Sequence, residues 1–280
     1  MISSPPIQWY PGHIAKAEKQ LQDQLKRVDV VLEVLDARVP LASQHPDVPQ
    51  WVGEKPRILV FNRMDMIPPS LHSEWKAHFK QQGEQFYLTN AKQGKGVKAI
   101  LKAAQKAGEG VNERRKKRGM RSRPVRAVVI GFPNVGKSAL INRLVGRKAV
   151  KSARRAGVTR QLQWVRISDQ IELLDAPGVI PWKLENQDDA VKLAICEDIG
   201  EAAYDNQRVA AILVDLLVDL GYGEILKSRY GLDPMTGTGE NFVEQLACDR
   251  YKNDKERVAV LLLNDFRKGN MGQIPLELPE

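Results

Sequence analysis

The octapeptide Gly131-Phe132-Pro133-Asn134-Val135-Gly136-Lys137-Ser138 restricts what this chain can fold into more than any other stretch. It fits the pattern G-x-x-x-x-G-K-S, it follows the β-branched run 125–130 (VRAVVI), and helix-forming residues 137–144 come after it. Strand, glycine-rich loop and helix in that order let backbone N–H groups and a helix N-terminus close around phosphate oxygens. The mechanism gives Lys137 the β- and γ-phosphates and gives the Ser138 hydroxyl a Mg²⁺ ion. Asn134, Val135, Gly136 and Ala139 complete the nucleotide-binding loop. A strand feeding such a loop belongs in a parallel sheet, so the expected fold class is α/β.

Three further segments extend the reading from phosphate to base. Asp175-Ala176-Pro177-Gly178 follows the apolar run 171–174, a D-x-x-G arrangement in which the aspartate holds Mg²⁺ through water and the Gly178 N–H senses the γ-phosphate. Thr159 lies between the two phosphate motifs, where a switch threonine completes the Mg²⁺ shell. Asn62-Arg63-Met64-Asp65 follows the strand-like run 57–61 (RILVF) and is close to N-K-x-D, whose carboxylate accepts hydrogen bonds from N1–H and the 2-amino group of guanine. Adenine offers neither donor, so the expected ligands are GTP and GDP, and a P-loop kinase using ATP is disfavoured. Thr89-Asn90-Ala91, after the short run 86–88, is similar to the loop whose backbone contacts the guanine oxygen. Arg63 stands where lysine is usual, so its stacking over the base should differ.

The order of these motifs is unusual: base loops at 62 and 89, phosphate loop at 131, switches near 159 and 175. A folded nucleotide domain keeps its site if it is cut after the D-x-x-G unit and its old ends are joined, since the termini of compact domains lie close together. The basic segment 108–124 would be that joining linker. Residues 114–126 (RRKKRGMRSRPVR) carry eight Lys or Arg and no acid, and are expected to form a mobile arm. Helical patterns are read at 13–26, 70–81 and 96–107, and after residue 188 at 190–199, 209–220, 242–246 and 258–266; 231–239 reads as loop. The chain is thus expected to divide into a nucleotide domain, 1–185, and a helical domain, 186–280.

With these residues in place, the chain resembles the circularly permuted GTPases that assist assembly of the large ribosomal subunit, over nearly its whole length. Trp9-Tyr10-Pro11-Gly12-His13-Ile14-Ala15-Lys16-Ala17 is similar to the N-terminal signature of that family, Asp36-Ala37-Arg38-Val39-Pro40 to its D-A-R motif, and Leu263-Asn264-Asp265-Phe266-Arg267-Lys268-Gly269 to its C-terminal end. The resemblance implies a circularly permuted Ras-like P-loop GTPase domain, a mostly parallel sheet with helices on both faces, followed by a small all-helical domain that contacts rRNA. It also implies slow GTP hydrolysis stimulated by a large ribosomal subunit precursor. Val179 follows the D-x-x-G where Ras-like proteins have glutamine, and an apolar side chain cannot orient water. Two substitutes stand open: His13, which the resemblance makes catalytic, and a K⁺ ion held partly by Asn134.

Forty-three Lys and Arg against thirty-four Asp and Glu leave a net charge of +9, which suits a polyanionic partner such as RNA. Residues 147–160 and the C-terminal Lys227, Arg229, Arg250, Lys252, Arg257, Arg267 and Lys268, with Tyr230 and Tyr251 nearby, are the expected contacts. His45, His72 and His78 read as surface residues. Two cysteines exclude a disulfide framework, and neither a signal sequence nor a bilayer-length apolar run is visible. A cytoplasmic protein with no membrane contact, monomeric off the ribosome, is expected; the competing reading is a nucleotide-dependent RNA-binding scaffold with little hydrolysis.

Overall fold

The structure, a computed structural model, describes residue 7 and residues 14–146, 163–176 and 184–279. Six strands form one sheet: β1 (Val30–Asp36), β2 (Arg57–Asn62), β3 (Gln85–Leu88), β4 (Val125–Ile130), β5 (Gln163–Arg166) and β6 (Ile171–Asp175), in the spatial order β3-β2-β1-β4-β6-β5. Every pairing is parallel except the β5–β6 hairpin. The expected α/β class and mostly parallel sheet are therefore present.

All seven residues of β1 are buried and five of them are Val or Leu, the pattern of a strand covered on both faces. Val30, Leu32, Val34, Ile58, Val60, Ala127 and Val129 point to one face, under α4 (Val97–Lys117) and α5 (Lys137–Val145). Val31, Leu35, Leu59, Phe61, Val128 and Ile130 point to the other, under α1 (Ile14–Leu25), α2 (Val48–Val52) and α3 (Pro69–Gln81). From β1 the chain moves outward to β2 and β3, and from β4 it moves to the opposite side, where β6 lies beside β4 and β5 at the edge, so the loops after β1 and β4 part from each other there. That divergence opens a crevice at the carboxyl ends of the strands, where ligands bind in open α/β sheets.

Five helices complete the described chain: α6 (Gln187–Cys196), α7 (Asn206–Asp219), α8 (Gly223–Tyr230), α9 (Gly239–Arg250) and α10 (Lys255–Lys268). Asn186, Asp205, Thr238 and Asp254 each cap a helix by accepting a hydrogen bond from an N–H of its first turn. The buried apolar face of α7 packs between α9 and α10, and the same apolar cluster continues without a break into the sheet core.

The structure departs from the sequence reading at several places. Residues 114–117 are the last turn of α4, not part of a mobile arm. Long unbranched Lys and Arg side chains favour helix, and cations oppose the negative C-terminal end of the helix dipole. Val97, Ile100, Ala104 and Gly108 hold the other end of the helix against the core. In the C-terminal helices, Arg267 is turned inward, donating to the Ile195 and Ala194 carbonyls and the Tyr204 hydroxyl. Tyr230 is buried, so Arg267 and Tyr230 are structural rather than open to RNA; Arg229 pairs with Asp265 at 2.8 Å but stays exposed. With five and eight residues, α2 and α8 are too short for apolar periodicity to reveal. A single 3₁₀ turn, Pro234–Thr236, interrupts the expected loop at 231–239.

Candidate nucleotide-binding site

The loops after β1, β2, β3 and β4 and the carboxyl end of β6 lie at one edge of the sheet. Gly131 begins the loop after β4 at φ 140°, and a Cβ there would stand 2.2 Å from the Val34 carbonyl oxygen of β1. Only glycine fits that approach. Lys137 folds back under the loop, 6% exposed, and its Nζ donates to the Gly131 and Phe132 carbonyls at 3.0 and 2.6 Å. Burial pushes this ammonium down to about 8, against the opposing pull of Asp175 and Asp198. Ser138 and Ala139 occupy the first turn of α5, half-buried.

One side chain ties the phosphate loop to both base loops. The Asn62 amide donates from Nδ2 to the Val135 carbonyl at 2.8 Å, and its Oδ1 accepts from the Ala91 N–H at 3.0 Å. Gly136, at φ 103°, leaves the room this requires, since a Cβ would meet Asn62 Nδ2 at 2.0 Å. Arg63 adds a second tie: Nη2 donates to the Asn134 carbonyl at 2.6 Å while Nη1 lies 3.2 Å from Asp36 Oδ2. A lysine has one donor head and could not span both partners in this way. The Thr89 N–H donates to the Phe61 carbonyl, its own carbonyl accepts from the Met64 N–H, and its hydroxyl donates to Lys95. The Asn90 side chain closes a turn by accepting from the Gln93 N–H, and Arg143 of α5 donates to the Ala91 carbonyl. Asp65 projects from a 3₁₀ turn beside these loops, exposed, as a carboxylate must be to meet a base.

Asp175 ends β6 in register with Val129 of β4 and is 1% exposed. Its Oδ1 is buried without a hydrogen-bond partner among the described residues, and burial lifts the carboxyl to about 6 although Lys137 pulls it the other way. Asn134, at φ 57°, donates from Nδ2 to the Glu197 carbonyl at 2.8 Å, so the phosphate loop is joined to the C-terminal end of α6. Of the residues singled out in the sequence, direct hydrogen bonds link Asn62, Arg63, Ala91, Asn134 and Val135, while Lys137 and Asp175 interact through charge. His13, Thr159, Gly178 and Val179 lie outside the described residues.

The structure gives a role to the D-A-R triplet that its sequence did not, and adds Asp198 beside it. Asp36 and Arg38, both fully buried, form a two-pronged ion pair through Nε and Nη2 at 2.9 and 2.7 Å. Nη2 also donates to the Cys196 carbonyl at 3.1 Å, and the guanidinium lies 5.3 Å from the centre of the Phe266 ring. Burial raises the Asp36 carboxyl, yet Arg38 and Arg63 together outweigh it and hold the group below the usual carboxylate range. Asp198, fully buried beside them, is pushed well up by burial and by the nearby Asp36. The triplet Asp36-Ala37-Arg38 at the end of a buried strand was the available signal for the pair; Asp198 had none. His45 corrects the surface reading of the histidines. It is 2% exposed, its ring centre lies 4.6 Å from that of Trp51 and 6.4 Å from that of Phe132, and burial lowers it to about 4. His72 and His78 are half-buried on α3.

Comparison with known proteins matches residues 126–247 to the family described as 50S ribosome-binding GTPase. That match begins in β4, just before the phosphate loop, and leaves the base loops at 62 and 89 on its N-terminal side. Ribosome biogenesis GTPase A of Bacillus cereus is 36% identical over 283 residues, covering 98% of this chain and 94% of that protein. The chain belongs to the ribosome biogenesis GTPase A family. The Thermotoga maritima member is 28% identical over 280 residues, covering 98% and 95% of the two chains. The solved structure of GDP-bound TM YlqF superposes with a TM-score of 0.66 at 25% identity, covering 93% of this chain and 99% of that one; GNP-bound YlqF from T. maritima gives 0.64 at 26%, covering 95% and 99%. The family and the P-loop GTPase fold expected from the motifs are both borne out. No helix among the described residues is long and apolar enough to cross a membrane.

Proposed function

We propose that this GTPase binds GTP across the β1–β4 crevice and hydrolyses it in connection with binding to a large ribosomal subunit precursor. The observation that carries the reading is the Asn62 amide, which joins the phosphate loop and both base loops into one cradle whose parts lie in permuted order. In this reading residues 1–185 form the nucleotide domain and residues 186–280 a helical domain that meets rRNA. Asp65 selects guanine through its N1–H and 2-amino group, and Thr89, Asn90 and Ala91 line the base. Asn134, Val135, Gly136, Lys137, Ser138 and Ala139 hold the phosphates, and Gly178 senses the γ-phosphate.

Mg²⁺ fits the donors present: the buried Asp175 Oδ1 without a partner, with Ser138 and Thr159 as the accompanying hydroxyls, is an oxygen set suited to a hard cation. Bound there, the ion neutralises charge on the β- and γ-phosphates. Either His13 or a K⁺ ion held partly by Asn134 would take the place of the glutamine in orienting the attacking water. GTP orders the switch segments, the ordered form binds the precursor, and hydrolysis releases it. The protein works in the cytoplasm and is a monomer off the ribosome.

Fluorescent GTP and ATP analogues titrated into wild type and Asp65→Asn test the base assignment. Loss of the charged acceptor should weaken GTP by about 1.5–3 kcal/mol, roughly 10- to 100-fold, with ATP weak in both proteins. Equal binding of ATP and GTP by wild type would refute it.

A further inference from the structure

Residues 98–123 hold ten Lys or Arg against two Glu, so this stretch carries +8 where the whole chain carries +9. It comprises nearly all of α4 and the turn that returns the chain to β4. The helix begins beside the base loops, with Gly96 as its N-cap, and its 21 residues carry it roughly 30 Å across the sheet. Its basic end therefore stands at the edge opposite the nucleotide crevice, near the start of β1 and β4.

The return turn is pinned at its far end. Asn112 donates from Nδ2 to the Arg123 carbonyl at 2.9 Å and accepts from the Arg123 N–H at 3.1 Å. Arg123 grips Asp29 with both Nη atoms at 2.7 and 2.8 Å. The Arg115 Nε donates to the Arg121 carbonyl at 3.0 Å and ties the turn to the helix. Arg115 and Arg123 are thus spent on structure, while Arg114, Lys117, Arg118 and Arg121 are exposed and have no ion-pair partner among the described residues. The two acids, Glu109 and Glu113, line a groove beside the turn that runs toward Asp169 and Gln170, with Lys116 and Arg123 on the same groove. A charge this one-sided, on a held turn, exceeds what the helix dipole can use, since that effect fades beyond the last turn of the helix.

We propose that the C-terminal end of α4 and the turn through Arg121 form a binding surface for the phosphate backbone of double-stranded RNA, separate from the nucleotide site. Residues 98–123 contain no Phe, Tyr or Trp, so the surface lacks the stacking platforms that hold unpaired bases. Contact through phosphates alone is independent of base sequence and releases counterions, which gives it a steep salt dependence. The inference rests on the ribosomal reading above for its biological partner but not for its chemistry.

The test uses the full chain, a fluorescein-labelled 20-base-pair RNA duplex, and the variant Arg114→Gln, Lys117→Gln, Arg118→Gln, Arg121→Gln. These residues lie far from the crevice, so binding of a fluorescent GTP analogue should match wild type and report an intact fold. Dissociation constants are measured between 50 and 200 mM KCl. The variant should bind the duplex at least about 10-fold more weakly at the lower salt, and the slope of log affinity against log salt should shrink by about 3. An unchanged slope and affinity would overturn the proposal. So would an equal loss in a charge-matched variant on the α1 and α3 face, Lys19→Gln, Lys26→Gln, Lys76→Gln, Lys80→Gln, exposed residues with no assigned role, because that would mark a general charge effect. Co-sedimentation of wild type with large ribosomal subunits in GTP separates the two readings: if subunits bind while the α4 variant retains full duplex affinity, this surface is wrong and the ribosomal reading stands.

Discussion

Arg38 reaches no water, and its Nη1 has no hydrogen-bond partner among the described residues, yet it pairs with Asp36, donates to the Cys196 carbonyl and lies over Phe266. It therefore links the end of β1, beside the nucleotide crevice, to α6 and α10. Replacing it with Met keeps the volume but leaves Asp36 and Asp198 with only Arg63 and Lys137 as nearby cations. Breaking a buried pair from one side costs about 3–5 kcal/mol, so Arg38→Met should lower the urea midpoint by that equivalent. A loss under about 1 kcal/mol would mean that the pair is dispensable. The residue scale also shows what sequence can convey. The phosphate loop and the base loops were legible because each has a spacing that its chemistry demands. The role of Arg63 was not, since the Asn134 carbonyl and the Asp36 carboxylate meet it only in the fold, and His45 looked polar because no local pattern announces that Trp51 and Phe132 enclose it.

Among the elements, the C-terminal segment acts as a strap over the loops of the site. The Gln273 Nε2 donates to the Asp65 carbonyl at 3.1 Å, the Leu276 N–H to the Arg38 carbonyl at 2.9 Å, and the buried Glu277 carboxylate accepts from the Leu41 and Ala42 N–H groups at 2.7 and 3.2 Å. Ile274 and Leu276 of the strap are buried. Deleting residues 274–280 should loosen the loops after β1 and β2 and weaken binding of a fluorescent GTP analogue about 3- to 10-fold, with far-ultraviolet circular dichroism little changed. Unaltered affinity would show that the strap serves stability alone. Strands and long helices were readable from apolar runs and 3.6-residue periodicity, and α1, α3, α7 and α10 fall close to their expected ranges. The end of α4 was not readable, because an unbroken basic run has the composition of a disordered arm while its side chains individually favour helix. The strap carries no motif at all; its partners in the loops after β1 and β2 are more than two hundred residues away in sequence.

Across the whole molecule, the permuted order places the helices α6–α10 directly after the β6 loop, and Asn134 and Arg38 bond to the end of α6. A change at the phosphate loop is thus one hydrogen bond from the C-terminal helices, and a ribosome touching those helices can act back on the crevice with equal coupling in binding. The net charge of +9 adds attraction to a polyanionic particle without fixing where it docks. The measurement that tests this account most directly is steady-state GTP hydrolysis by the wild-type protein with and without purified large ribosomal subunits, with ATP as control. The account predicts slow turnover alone, at least about 10-fold stimulation by the subunits, and no ATP turnover under either condition. GTP turnover that is negligible and unmoved by the subunits would contradict it and leave a nucleotide-dependent RNA-binding scaffold in its place.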